Sequence, residues 1–499
     1  MKYTRRSVAL CLAVAATAMA CKTDLTGLNV NPNSPTSAPA STLFTQASIN
    51  AVGRFVGSGQ LSGTALFAQH LAQVQYVEED RGRLRTETID GWFTNSYVSE
   101  LEDYQKVIEQ GDANKSANTS GPARVMQSWV FQNMSDMWGD IPYTEALQAD
   151  KGGPLKPKYD TQKDIYYGLL KTLTEASASM KAGTTDAGLG AADPIYKGDM
   201  SNWLRFSNGM RLRLALRMQK ADASKAAAEM SAAIAAPGGL MTTNAHNATL
   251  AWPGDGVYDN PYSGTFSTRD DHRVSKTLLD TMIALGDPRV KIYAQPTKAD
   301  PTIYAGLQNG LDNATVTPFF NTTSRVGTIF YPGSTTYGTF GSTAGKKTPS
   351  VLMTAAEMEF ILAEMVERGF AGASGTAKSH YDAGVTLSIT QWGGTAAEAA
   401  TYLAKAGVTY VPGATGVKQI GLQKWLSMFT QGTEAWSEFR RTGNPVTIKM
   451  GPKAYPDVPE IPRRILYPSN EQTVNADALN AAIARQGANT YITRIWWDK

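Results

Sequence analysis

Residues 420–445 read IGLQKWLSMFTQGTEAWSEFRRTGNP, and the spacing of their apolar side chains decides the fold class. Leu422, Trp425, Leu426 and Phe429 recur at i, i+3, i+4 and i+7, the period of one helix face. Gly432 interrupts that pattern, and Trp436 and Phe439 resume it three residues apart. Glu438 and Arg441 stand one helical turn apart on the other side, placed to pair. Gly443, Asn444 and Pro445 then have the composition of a helix stop. The stretch therefore predicts a helical hairpin with Trp425 and Trp436 as core anchors, since buried aromatics dominate protein interiors.

Outward from this hairpin, apolar residues at helical spacing recur along much of the chain. A helix is expected from Ser41 through Leu43, Phe44, Ala47 and Val52, and another through Leu66, His70, Leu71 and Val74. His70 is a lone histidine on a half-apolar face with no second histidine at ligand spacing, which predicts a packing role. Trp129, Val130, Met134 and Met137 form one face before Trp138, Gly139 and Asp140. Residues 199–218 set Trp203, Phe206, Met210 and Leu214 on one side. Arg211 to Leu214 alternates as a strand would, but the longer period favours a helix. Arg211, Arg213 and Arg217 are expected to pair with carboxylates inside the fold.

Two stretches differ in kind. Residues 250–273 and 302–347 are rich in Gly, Pro, Asn, Ser and Thr, with aromatics scattered among them, so long loops with short strands are expected there. Loops of this length in a compact protein are usually functional. Residues 75–97 mix the run Glu78, Glu79, Asp80, Arg81 with Tyr76, Trp92, Phe93 and Tyr97. Two readings of that mixture stand: a loop facing a ligand, or a solvated charge run with aromatics packed behind it.

The amino terminus has the form of an export signal. Lys2, Arg5 and Arg6 precede an apolar run, Ser7 to Ala20, too short to span a membrane comfortably. Ala18, Met19, Ala20 and Cys21 follow the pattern of a lipidation site, with the usual leucine replaced by Ala18; cleavage by an ordinary signal peptidase is the alternative. Residues 1–20 are therefore expected to be a lipoprotein signal peptide, and residues 21–40, rich in Asn and Pro, an extended tether. Both cysteines, Cys11 and Cys21, lie at or before position 21, so a mature chain lipidated on Cys21 has no disulfide to stand on. Loss of Lys2, Arg5 and Arg6 brings the 47 basic residues level with the 44 acidic ones, a balance that gives nucleic acid no electrostatic footprint.

The motifs for chemistry are missing. His70, His246, His272 and His380 are scattered with no H-E-x-x-H, and no G-x-S-x-G elbow occurs. Residues 338–348, GTFGSTAGKKT, fail the phosphate-loop pattern because Phe340 stands where the first glycine belongs and Lys347 replaces the hydroxyl residue. This reading assigns no catalytic residue, no metal and no cofactor.

The hairpin also carries a resemblance. Its pattern QKW, F, EAW and EFRRTG, ending on Pro445, resembles the carboxy-terminal signature of the SusD/RagB family of outer-membrane nutrient-binding lipoproteins, in its SusD-like branch. Further matches are LNVNPN.PT near the tether, GDIPY.EAL at residues 139–147, the segment 157–170, W..F.N..RLRLA.R at 203–217, and Asp287-Pro288-Arg289. The resemblance implies a mostly α fold: an irregular tetratricopeptide-like scaffold of helical pairs over residues 41–499, with loop-rich insertions near 250–273 and 302–347. It implies a surface-exposed, lipid-anchored outer-membrane protein that binds an oligosaccharide or other oligomeric nutrient and delivers it to a SusC-like TonB-dependent transporter. Under that reading the stacking platform for ligand is expected among Trp92, Tyr258, Tyr262, Tyr331 and Tyr337. A secreted glycoside hydrolase and a peptide-capturing member of the same family are the alternatives.

Overall fold

The computed structural model describes residues 38–331 and 344–499; the expected signal peptide, Cys21, most of the expected tether and Tyr337 lie outside the described residues. The hairpin that opened the sequence reading forms as helices Ala414–Ser427 and Gly432–Thr442. Trp425 and Trp436 are both fully buried, so both anchors are in the core. The Trp425 indole N–H donates to Ala68 O at 2.9 Å, and that of Trp436 to Pro462 O at 2.7 Å. Gly432 is required by close approach: a Cβ there would lie 2.6 Å from the backbone nitrogen of Ala65. Gly443 ends the second helix at φ 71°, a left-handed turn that glycine adopts without strain.

In chain order the longer helices are α1 (Ala40–Phe55), α2 (Thr86–Asn95), α3 (Glu102–Ala113), α4 (Ala117–Trp138), α5 (Gln162–Ser179), α6 (Met200–Arg217) and α7 (Ala223–Ile234). They continue as α8 (Lys276–Leu285), α9 (Ala355–Glu367), α10 (Ala377–Gln391), α11 (Ala396–Leu403), α12 (Ala414–Ser427), α13 (Gly432–Thr442) and α14 (Ala476–Gln486). Consecutive helices from α3 to α7 pack on one another, as do α9, α10 and α11, and α12 returns onto α9. The helical pairing is as expected, except that the helix expected through Leu66, His70, Leu71 and Val74 is a single turn, Thr64–Phe67, followed by a strand at Leu71–Gln73; Arg211 to Leu214 lie inside α6 rather than on a strand. Side-chain caps fix several starts: Asp199 accepts from the N–H groups of Ser201 and Asn202, and Thr376 and Thr395 head capping boxes. Among the described residues no helix is long and apolar enough to cross a membrane.

Packed against the aromatics at the centre is a set of buried charges. Arg213 of α6 grips Glu357 of α9 through two bonds, at 2.7 and 2.6 Å. Arg217 bonds both Asp136 of α4 and Glu434 of α13. Arg441 bonds Glu364 of α9 and Glu438, the partner predicted for it. Arg211 reaches Glu229 at 3.5 Å. The arginines of α6 are thus cross-links between helices, as charge balance required. His70 packs its ring 5.1 Å from that of Trp425 and bonds Trp425 O through Nε2 at 3.0 Å, a packing role.

Of three short antiparallel strand pairs among the described residues, two bracket the insertions. Leu71–Gln73 (β1) pairs with His272–Val274 (β5), Ile141–Pro142 (β2) with Tyr159–Asp160 (β3), and Ala248–Leu250 (β4) with Ser350–Met353 (β6). The segment between β4 and β5 is therefore held at both ends, and so is the segment between β5 and β6. Neither is bare loop: the first contains the short helix Pro261–Phe266, the second Asn313–Val316 and Ala344–Lys347.

Candidate ligand-binding cleft

Helix α1 buries Phe44, Ala47, Ser48, Ala51, Val52 and Phe55. Its opposite face turns Gln46, Ile49, Asn50, Gly53 and Arg54 outward at helical spacing. The segment that leaves β4 passes over this face. Two cavities of about 480 and 370 Å3 result, and they share Ile49, Trp252 and Tyr258, so they form one groove along α1. Trp252 is anchored by its indole N–H to Ser350 Oγ at 2.9 Å. Tyr258 stands 41% exposed on a turn that the chain pins locally. Asp255 Oδ1 accepts from the N–H groups of Val257 and Tyr258, each at 2.9 Å, and these bonds hold the Asp255 carboxyl below its ordinary range. Trp92 closes the far wall of the larger cavity.

Two charged side chains line the groove, and both are paired. Arg54 Nε donates to Glu100 Oε1 at 2.7 Å, and Lys346 reaches Asp259 at 3.0 Å. Glu100 is completely buried on a π-helical turn, Ser96–Leu101, that extends α2; such turns are frequent at functional sites. Burial pushes its carboxyl up to about 7, against the opposing pull of Arg54.

Of the five aromatics expected to form a platform, Trp92 and Tyr258 meet in one cavity. Trp92 does so from helix α2 and not from a loop, and at 6% exposure it is a core residue whose edge alone reaches the cavity, not an open stacking face. Tyr262 and Tyr331 are corrected: at 2% and 4% exposure they are core residues. Asn260 caps the short helix Pro261–Phe266, so Tyr262 turns inward against Phe266 and Phe330, with ring centres 5.7 and 5.6 Å away. Tyr331 stacks on Phe266 at 4.7 Å with the planes 14° apart. Tyr337 lies outside the described residues.

The reading of residues 78–81 as a solvated run is also corrected. Glu79 and Asp80 are buried. Asp80 accepts from Asn309 Nδ2 at 2.6 Å and from Gly310 N at 3.0 Å, clamping two distant segments, while burial raises its carboxyl to about 7. Four residues before Asp80 is an exposed ring for which the ligand-facing reading of residues 75–97 still stands. Tyr76 is 53% exposed, adopts a left-handed backbone at φ 54°, and has the Arg269 guanidinium 4.9 Å from its ring centre. Strain of this kind in a non-glycine residue costs about 1–3 kcal/mol and clusters at ligand sites.

Residues 32–468 match the SusD-like family described as starch-binding and associating with the outer membrane. No curated protein sequence matches the chain. Among solved structures it is similar to a chitin-binding protein, at 26% identity and a TM-score of 0.79 over 92% of this chain and 100% of the other. It is also similar to a SusD homologue from Bacteroides uniformis, at 23% identity and a TM-score of 0.80 over 92% and 98% of the two chains. A chitin-binding SusD homologue from Flavobacterium johnsoniae matches at 23% identity, with a TM-score of 0.77 over 92% and 98%. The family match spans residues 32–468, most of the chain: this chain belongs to the SusD-like family of proteins that associate with the outer membrane.

Proposed function

We propose that this protein is a lipid-anchored, surface-exposed binding protein that captures an oligosaccharide in the groove on α1 and delivers it to a SusC-like TonB-dependent transporter. Residues 1–20 act as the signal peptide, Cys21 carries the lipid, and residues 21–40 tether the helical domain to the outer membrane. The observation that carries the reading is the groove itself. An exposed Tyr258 ring, with the edges of the buried Trp252 and Trp92 beside it, supplies an apolar face for sugar C–H surfaces, and Gln46, Asn50 and Arg54 supply hydroxyl partners. The starch-binding description of the family and the chitin-binding relatives support a glycan as ligand.

Calorimetric titration with malto- and chito-oligosaccharides tests the reading. Tyr258→Ala is expected to weaken binding by about 1 kcal/mol or more, the worth of an aromatic contact, without lowering the melting temperature. Tyr76→Ala run in parallel tests that other exposed ring, which its strained backbone and the Arg269 contact favour. If neither variant changes the affinity for a glycan the protein binds, the ligand lies elsewhere. If peptides bind and no glycan does, the peptide-capturing alternative replaces this reading.

A further inference from the structure

We infer that the groove on α1 accepts an uncharged sugar chain, and that Glu100, behind its wall, determines this by cancelling the charge of Arg54. The inference rests on the glycan reading above and names the substrate class of that site. The smaller cavity is lined only by uncharged side chains, among them Thr42, Thr45 and Gln46. The larger one has Arg54 and Asp259, each with a partner of opposite charge, Glu100 and Lys346. No net charge is therefore presented to a ligand along the described wall, in a chain where 18% of residues are charged.

Glu100 is an expensive way to achieve this. A buried carboxylate pays heavily for lost water, and a glutamine would hold Arg54 through a neutral hydrogen bond at lower cost. Only the carboxylate also removes the positive potential that Arg54 would otherwise focus into the groove. An unopposed guanidinium within a few ångströms of a ligand carboxylate favours the anion by about tenfold or more, enough to turn a neutral groove into one selective for anions. Arg54 keeps its role as a planar donor to hydroxyl oxygens while losing its attraction for uronate or sulfate groups.

The test compares malto- and chito-oligosaccharides with oligogalacturonates of matched length, at about pH 8, above the raised value of the Glu100 carboxyl. The wild-type protein is expected to bind a neutral series at least about tenfold more tightly than the oligogalacturonates. Glu100→Gln should raise oligogalacturonate affinity by about tenfold, and adding Arg54→Gln should remove the gain. Asp259→Asn, which uncovers Lys346 without touching the buried carboxylate, should shift preference in the same direction. A change in the sign of ligand charge preferred is something that mere loosening of the fold would not produce. Wild-type preference for oligogalacturonates overturns the inference. So does an unchanged preference in Glu100→Gln and Asp259→Asn while Tyr258→Ala still weakens neutral glycans, an outcome that leaves the glycan reading standing. If no oligosaccharide binds, the glycan reading falls and this inference with it.

Discussion

Replacing Arg217 by methionine should cost the protein about 3–5 kcal/mol, the loss that follows when one member of a buried ion cluster is removed and its partners stay behind. The local charge count explains the size. Asp136, Glu357 and Glu434 make their direct ion pairs with Arg213 and Arg217, and the side chains of all five are 7% exposed or less. Without Arg217, Arg213 is left paired with Glu357 and Glu434, Asp136 loses its guanidinium partner, and Lys424 and Arg440 act from farther off. Methionine keeps the stem volume against Trp497, so lost packing contributes little. The pH dependence gives a sharper signature than the magnitude. In the native protein burial works to raise the Glu434 carboxyl, but Arg213, Arg217 and Lys424 outweigh it and hold it below its ordinary range. That stabilisation is fully present above the unfolded value of about 4.5 and is lost as pH falls through the lowered one. In Arg217→Met burial is expected to outweigh the remaining pull of Arg213 and Lys424, so the folded value should rise above the unfolded one and stability should increase as pH falls from neutral toward about 5. Equilibrium unfolding in urea at several pH values reads both effects. A second replacement, Glu434→Gln, should recover at least half the loss by removing the uncompensated charge. A loss below about 1 kcal/mol, or one that is the same at pH 5 and pH 8, would refute the reasoning.

Trp436→Ala should cost about 3–5 kcal/mol, because the ring is wholly buried with the Arg440 guanidinium 3.6 Å from its centre and Phe67 beside it; thermal unfolding or loss of soluble expression checks this. Tyr258→Ala is expected to behave oppositely, keeping the melting temperature and losing glycan affinity, since its ring fills no cavity in the core. Cys21→Ser should move the protein out of outer-membrane fractions and abolish fatty-acid labelling; label retained on that variant would place the lipid on another residue.

How far the sequence carried depended on whether a residue stood in a periodic segment. The hairpin at 420–445 could be read almost completely, because a helix repeats its buried face every three or four residues and so writes burial into spacing: Trp425 and Trp436 are in the core, and Gly443 ends α13. The pairing of Arg211, Arg213 and Arg217 followed from charge balance in a chain with few ways to bury a cation. The family followed from motifs of that same scaffold. In the insertions no period exists, and composition reports that aromatics are present without reporting where they point. Tyr258 and Tyr262, four residues apart, have opposite fates because Asp255 pins one on an exposed turn and Asn260 caps the helix that turns the other inward. The buried Asp80 escaped notice for a similar reason: its partner Asn309 lies over two hundred residues away, joined to it only by the fold. The groove is decided at the same long range. Pairing of β4 with β6 brings Trp252 and Tyr258 over α1, and the π-helical turn after α2 sets Glu100 beneath Arg54, so the ligand surface is a product of tertiary packing between segments whose local sequences carry no record of one another.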